Sequence, residues 1–311
     1  MNREIKLVII DSQGAQRELI YGIRAVMTRD MYLPYVSLSG EFVCDRDLNA
    51  SQVCAIMLKD DQTVIYKGIP DKVEVSTQNG IKRISFVSRS YTSLTAQNEP
   101  EPGVLNDVDL ADLVSSCLNH PEITVEQNTP QEGYIYVKKS SSLWDAIVAY
   151  NIKRQNRLPY IYGANTIMST KANSVSRSYT GEYIINSGFG VNTLNMYSDV
   201  HMRVGNDPYN YHYTNPSATD YKIKRSRYYD LDYQWLYNIP QGLEYKAANS
   251  NRKRNVRFFE YASFKNEQLF DTVSGSGTAC DAMYINRVVF TADAKGLRTK
   301  IYCYADDFGQ R

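Results

Sequence analysis

The amino-acid sequence predicts an α+β fold in which β structure dominates. Short apolar runs alternating at period two, separated by turn residues, occupy both ends of the chain. The dipeptide Asn79-Gly80 stands between two such runs. This is a strong hairpin signal, because both residues tolerate positive φ. Two amphipathic helical patterns lie between the β regions. With 311 residues, 43% hydrophobic and 22% charged, the chain is globular, with room for about two domains.

The first strand is expected over Ile5 to Ile10 and the next over Val36 to Val43, with a short apolar run over Gln52 to Leu58. Thr63 to Ile69 leads through Pro70-Asp71 into Lys72 to Val75, and Ile81 to Val87 follows the Asn-Gly turn. Several short strands of this kind imply a small antiparallel barrel or sandwich. Asn106 reads as the cap of a three-turn helix with Leu110, Leu113, Val114 and Cys117 on its apolar face, ending near Asn119. A second helix is expected from Ser142, with Leu143, Trp144, Ile147, Val148 and Ile152 on one stripe. Lys153, Arg154 and Arg157 suit the negative end of that helix, Pro159 stops it, and Tyr160 to Tyr162 resumes a strand.

Residues 170 to 220 are rich in Ser, Asn, Gly and Tyr and predict strands with long loops, with turns at Gly188-Phe189-Gly190 and Gly205 to Pro208. A helix around Leu231, Trp235 and Leu236 is expected to be broken or kinked by Pro240. Strands return at Asn255 to Tyr261, Met283 to Phe290 and Thr299 to Tyr304, the last two joined by a turn at Asp293 to Gly296.

Thirty-five basic and 34 acidic residues give a net charge of +1, which argues against a dedicated DNA-binding protein. The apolar run Leu7 to Ile10 is too short for a signal sequence or a membrane anchor, so neither is expected within Met1 to Gln13. Five scattered cysteines without a Cys-x-x-Cys pair read as reduced, buried thiols of a protein folded in a cytoplasm. The three histidines, His120, His201 and His212, lack partners at ligand spacing, so no metal site is expected.

Asp107, Asp109 and Asp112 read as helix N-terminal charges, and Asp60-Asp61 and Asp306-Asp307 as a turn and an exposed tail. Ser274-Gly275-Ser276-Gly277 lacks the ending of a phosphate-binding loop and the spacing of a nucleophile elbow, so it reads as a flexible loop. Trp144 and Trp235 read as core residues. The basic runs Lys222, Lys224, Arg225, Arg227 and Arg252, Lys253, Arg254, Arg257 read as solvated ends or interface charges, with polyanion contact as the other reading. There are 26 tyrosines, and Tyr209, Tyr211, Tyr213, Tyr221, Tyr228, Tyr229, Tyr233 and Tyr237 cluster in sequence. Rings with an apolar body and polar tip suit either a glycan platform or an oligomer interface.

The order of the pieces resembles a known family. A strand runs into a polar turn over Ile84 to Leu94, followed by Gln97-Asn98-Glu99-Pro100 and the helix Val108 to Cys117. The strand Tyr134 to Val137 then precedes Ser142-Leu143-Trp144-Asp145-Ala146 and a helix to Arg157. With the closing hairpin Val288 to Gly296 and Thr299 to Tyr304, this is similar to baseplate hub proteins of contractile phage tails, the late control protein D family. The resemblance is best over residues 72 to 165 and weaker over 280 to 304.

The resemblance implies a structural protein with two tube-like antiparallel β-barrel domains and short helical insertions. On that pattern residues 1–95 form the first barrel, 96–170 a helix-containing α/β segment and 171–311 a second β-rich domain. It implies a homotrimeric ring joining the hexameric tail tube to the central spike protein, alongside other baseplate proteins, in a virion tail or contractile injection particle assembled in the bacterial cytoplasm. Catalytic residues, cofactor and specific nucleic-acid binding are not expected. The interface candidates are Tyr209, Tyr211, Tyr213, Tyr228, Tyr229, Arg252, Lys253 and Arg254. A cell-wall-degrading tail hydrolase and a free glycan-binding module stand as the alternatives.

Overall fold

One curled antiparallel sheet of eleven strands organises the chain. The computed structural model describes residues 5–19, 21–44, 48–305 and 308–310. Asp306 and Asp307, expected as a tail, lie outside the described residues, as do the first four residues.

Strand β1 (Ile5–Asp11) buries Leu7, Val8 and Ile9. It turns back into β2 (Gln16–Leu19), and the Asp11 carboxylate accepts the Gln13 and Ala15 N–H groups at 2.9 Å. Strand β3 (Gly22–Asp30), absent from the sequence expectations, alternates buried Ala25, Met27 and Arg29 with half-exposed Val26 and Thr28. Strands β4 (Ser37–Val43), β5 (Val53–Asp60) and β6 (Thr63–Gln78) follow. The two expected segments around Pro70 are therefore one strand of 16 residues, and a bulge between Pro70 and Lys72 accommodates the missing N–H. Asn79 (φ 53°) and Gly80 (φ 77°) make the expected tight turn into β7 (Ile81–Ser90).

The helical segment packs onto this half. Helix α1 (Leu94–Gln97) and strand β8 (Gly103–Leu105) precede α2 (Leu110–Ser115). Helix α2 is shorter than expected and begins three residues later. Its cap is Asp109, whose side chain accepts the Asp112 N–H at 2.8 Å. Strands β9 (Thr124–Val125) and β10 (Ile135–Val137) lead to α3 (Leu143–Gln155), which opens with a capping box. In that box Ser142 N–H donates to Asp145 Oδ2 at 2.9 Å and Asp145 N–H to Ser142 Oγ at 3.2 Å. Left-handed Asn156 (φ 48°) ends α3 before Arg157, and β11 (Tyr160–Tyr162) and β12 (Thr166–Met168) form a hairpin. Leu110, Leu113, Leu143, Trp144 and Ile147 join Leu38, Phe42 and Ile65 in one core.

The remaining residues extend the sheet and add two smaller ones. Strands β13 (Ser176–Ser178), β14 (Ile184–Val191), β15 (Asp199–Arg203) and β16 (Tyr211–Thr214) are followed by α4 (Pro216–Asp220) and β17 (Ser226–Asp230). Helix α5 (Ile239–Ser250) has Pro240 in its first turn, so the proline starts this helix rather than breaking one. Strands β18 (Asn255–Tyr261), β19 (Thr272–Ser274), β20 (Arg287–Asp293) and β21 (Gly296–Ala305) complete the chain. The two smaller sheets are β13-β19 and β16-β15-β17. Gly188-Phe189-Gly190, expected as a turn, lies within β14. There a Cβ on Gly188 would stand 2.9 Å from the Phe258 ring, so the glycine admits that ring across the strand pair.

The eleven-stranded order is β14-β18-β21-β20-β3-β4-β7-β6-β5-β1-β2. Its two halves meet at β20 and β3, where Phe290 opposes Met27 and Val288 opposes Arg29. Arg29 is only 1% exposed. Its guanidinium donates to the carbonyls of Glu267 (3.1 Å), Ile65 (3.2 Å) and Gly163 (3.4 Å) and to Asn266 Oδ1 (3.3 Å). One side chain thus ties both halves and the helical segment together. Burial pulls the guanidinium pKa down to about 10, against the opposing influence of the Glu267 and Asp271 carboxylates. Glu267 is itself buried and accepts a hydrogen bond from Tyr261 Oη.

Replacing Arg29 by alanine leaves these buried acceptors without their donor and opens a cavity, and is expected to cost about 3–5 kcal/mol. Urea unfolding should show a lower midpoint with an unchanged slope. Ser142→Ala should cost about 1 kcal/mol through the lost cap.

Candidate assembly surfaces

The first candidate surface is the free edge of the sheet at β14. Among the described residues that strand pairs only with β18, and its eight residues carry no charge. Around it Tyr183, Phe189 and Leu194 are 75%, 79% and 73% exposed, and Ile185 and Val191 are also exposed. Phe189, Gly190 and Val191 line a groove of about 400 Å³ with Val256, Arg257 and Ala279. An uncharged edge with apolar side chains is a template for strand pairing. Sequence reading missed it because its glycines suggested a turn. The signal available was the apolar series Tyr183, Ile184, Ile185, Phe189 and Val191. The other free edge, β2, is short and carries Arg17 and Glu18, the latter ion-paired with Lys59 at 3.0 Å.

The second surface is the outward face of the three-stranded sheet β16-β15-β17. Its inward face buries Val200 and Met202 against Leu243 and Ala247 of α5, with Tyr213 and Tyr229 packed alongside. Its outward face carries a ladder of rings. His212 stacks on His201 (4.7 Å between centroids), His201 on Tyr228 (4.6 Å), and Tyr209 meets Tyr228 edge-on (5.0 Å). Arg203 caps Tyr209 at 5.0 Å and pairs with Asp230 at 2.6 Å, while Asp199 Oδ1 lies 3.1 Å from His212 Nε2. The histidines are eleven residues apart in sequence, and cross-strand register puts them opposite each other. In this ladder His201 is sandwiched between the His212 and Tyr228 rings.

The sheet thus brings together five of the candidate residues: Tyr209, Tyr211 and Tyr228 exposed, Tyr213 and Tyr229 turned inward. The other three, Arg252, Lys253 and Arg254, sit between α5 and β18. Arg252 lies 4.7 Å over the Tyr32 ring, Lys253 is 2.6 Å from Asp30 Oδ2, and Arg254 is 5% exposed with its guanidinium 5.5 Å over Tyr221. The basic run before β17 is also used internally: Arg225 donates to the Thr193 and Leu194 carbonyls at 2.6 and 2.7 Å.

A third surface is the outward side of the main sheet across the β20–β3 junction. Register aligns Lys300, Val289, Thr28, Ser37 and Arg89 in one row and Arg298, Thr291, Val26, Ser39 and Val87 in the next. The central side chains are small, uncharged and partly exposed, with the basic residues Lys300, Arg89 and Arg298 at row ends.

A cleft near Tyr233 and Tyr237 is lined by Glu132, Tyr134, Lys153, Gln234 and Gln241. Lys153 donates to the Tyr134 carbonyl there, and burial draws its pKa down to about 8. Among the described residues no group of His, Cys, Asp and Glu is arranged to hold a metal ion. No helix there is long and apolar enough to cross a membrane. Cys44, Cys280 and Cys303 are buried as expected, whereas Cys54 is exposed and Cys117 partly so.

The Ser274–Gly277 stretch is an ordered loop that holds an anion of its own. Asp281 accepts Ser276 N–H (2.8 Å), Ser276 Oγ (2.8 Å) and Gly277 N–H (2.9 Å). Burial pushes the Asp281 pKa up, but the hydrogen bonds from Ser276, Gly277 and Thr278 outweigh it and the net direction is down. Such a carboxylate stabilises the fold above its unfolded pKa, and that contribution is lost as pH falls through the lowered folded value. Below about pH 4 the native chain should therefore lose stability more steeply than Asp281→Asn, as read by acid titration of the unfolding midpoint.

No family model matches the chain, and no curated protein is similar to it in sequence. Solved structures share its fold. The 43 kDa tail protein of prophage MuSo2 from Shewanella oneidensis superposes with a TM-score of 0.71 at 12% identity over 99% of each chain. The tail protein from Neisseria meningitidis MC58 gives 0.69 at 14% identity over 97% of each chain. The E. coli c3393 protein is a type VI secretion component with structural similarity to the T4 bacteriophage tail proteins gp27 and gp5. It gives 0.53 at 8% identity, over 92% of this chain and 74% of that one. The β-dominated α+β architecture predicted from sequence is thus the fold of phage tail proteins and of a type VI secretion component.

Proposed function

We propose that this chain is a baseplate hub of a contractile tail or injection particle, of the late control protein D type, acting by assembly and not by catalysis. The observation that carries this reading is the end-to-end likeness to two phage tail proteins, with 97% and 99% of both chains covered. Fold alone does not fix function, so the surfaces matter as well. A sheet with two halves and two free edges suits a ring whose members extend one another's sheets. In this reading residues 1–95 and 171–311 are the two tube-like domains, and 96–170 is the segment packed on them. Three copies present six such domains to the hexameric tail tube, and the threefold side seats the spike protein. The rows across the β20–β3 junction, small and uncharged at their centre with basic residues at their ends, would line the passage. Tyr209, Tyr211, Tyr213, Tyr228 and Tyr229, with Arg252, Lys253 and Arg254, contribute to contacts with neighbours, the inward members by shaping the sheet that carries the exposed ones.

Light scattering across a range of concentrations, alone and with the spike and tube proteins, tests this. The expected result is a species of three times the chain mass. A chain that stays monomeric with both partners overturns the reading.

A further inference from the structure

We propose that Cys280 and Cys303 are an oxidation site of the native fold, a buried thiol pair that a small-molecule disulfide converts into one bond within the chain. Both side chains are free thiols and both are fully buried. They stand far apart in sequence, and the fold brings them together. Cys303 lies on the inward side of β21, in register with Arg257 of β18. Cys280 is carried by the loop between β19 and β20, which folds over that side. The two cysteines share one buried cluster with Phe259 and Ile301, and their thiols hydrogen-bond to each other. The loop is fixed on both sides of Cys280. Arg257 Nη1 donates to the Ala279 carbonyl at 3.0 Å and lies 3.6 Å from Met283 Sδ. Cys280 N–H donates to Thr278 Oγ1 at 3.2 Å, and its carbonyl accepts the Met283 N–H at 3.0 Å. Thiols held in hydrogen-bond contact need only a small shift to reach bonding distance.

The surroundings give the two thiols unequal roles. The hydrogen bond from Cys303 holds the Cys280 thiol below the ordinary thiol range, and Thr278 and the Arg257 guanidinium act in the same direction against burial. The same hydrogen bond, together with burial, pushes the Cys303 thiol up. The thiolate is the reactive form, so Cys280 is the attacking group. Its sulfur bonds to one sulfur of the incoming disulfide, whose S–S bond breaks and whose other half leaves as a thiolate. Cys303 then gives its proton to that thiolate and attacks Cys280 Sγ, which expels the second half. The chain loses two electrons and two protons, and the small disulfide is reduced to two thiols.

The pair also has a way in. Arg257 and Ala279 line the groove of about 400 Å³ beside β14. Ala279 is exposed while its neighbour Cys280 is covered. A shift of the loop at Ala279 therefore opens the thiols to that groove. Once formed, the bond closes the segment that contains β20 and pins the Ala279 wall of the groove to the main sheet.

The test incubates the reduced full chain with oxidised glutathione, alkylates the remaining thiols under denaturing conditions, and maps the unreduced digest by mass. Exposed Cys54 should carry glutathione, which shows that the reagent reached the chain. The Cys280 and Cys303 peptides should appear joined, about 2 Da lighter than their sum, with Cys44 and Cys117 alkylated. The joined form should unfold on the order of 5 °C above the reduced form, and reduction should abolish the rise. Cys303→Ala should give no joined peptide and keep glutathione on Cys280; where that variant fails to fold, the map of the native chain decides. Because burial slows entry, the reaction is repeated in urea below the unfolding transition. Cys280 and Cys303 alkylated under every condition overturn the site. So does a bond from either one to another cysteine, or a joined form that unfolds no higher than the reduced chain.

Discussion

The buried guanidinium of Arg29 is the constraint on which the architecture depends. A cation removed from water needs acceptors on every donor, and here they come from three separated parts of the chain: Ile65, Gly163, and Asn266 with Glu267. Those parts converge only when both halves of the sheet and the intervening helical segment are in place. The residue therefore acts less as a source of net stability than as a condition on register. A one-residue slip at the β20–β3 junction would turn Arg29 outward and bring Thr28 into its position. The Glu267 side chain is held beside it by Tyr261, and burial pushes the Glu267 pKa up, so the guanidinium depends chiefly on carbonyl and amide acceptors.

Around that junction the molecule separates packing from association. The inward face of the first half of the sheet and helices α2 and α3 form one apolar core, and the second half buries Phe259, Val288 and Ile301 in another. Several charged residues outside them are paired within the chain, as in Arg89 with Asp71, Arg177 with Asp271, and Lys253 with Asp30. What remains open at β14 is apolar and uncharged. A monomeric protein ordinarily blunts such an edge with lysine, proline or a bulge. Here the blunting falls on β2, which has four residues and carries Arg17 and Glu18. The molecule is thus asymmetric along the sheet.

Local signals were legible in the sequence wherever local chemistry decides the structure. The Asn79-Gly80 turn, the Ser142–Asp145 cap and the closing hairpin at Asp293 to Gly296 all follow from neighbouring residues, and each is in place. The misreadings have long-range causes, apart from the start of helix α2. Strand β3 holds Arg24, Arg29 and Asp30, which look polar until their distant partners are known. Helix α2 starts at Asp109 rather than Asn106 because Asp109 reaches the Asp112 N–H. The ladder from His212 to Tyr209 needs the register of β15, β16 and β17, which no spacing rule supplies. The tyrosines of that region were found as a cluster; alternation turns Tyr228 outward and Tyr229 inward, while Tyr211 is exposed at the end of its strand opposite buried Met202.

The pairing of β20 with β3 has a consequence for how the protein is made. Strand β3 leaves the ribosome early, yet its partner ends at Asp293, more than 250 residues later. At ordinary elongation rates that delay is on the order of 15–50 s. Throughout it the β3 edge lacks its neighbour and Arg29 lacks its Asn266 and Glu267 acceptors. A half-made chain therefore exposes an interior seam that the finished one conceals. Nascent copies on one polysome would be able to join at that seam, so spacing between ribosomes, or a chaperone holding the early half, becomes a requirement for yield.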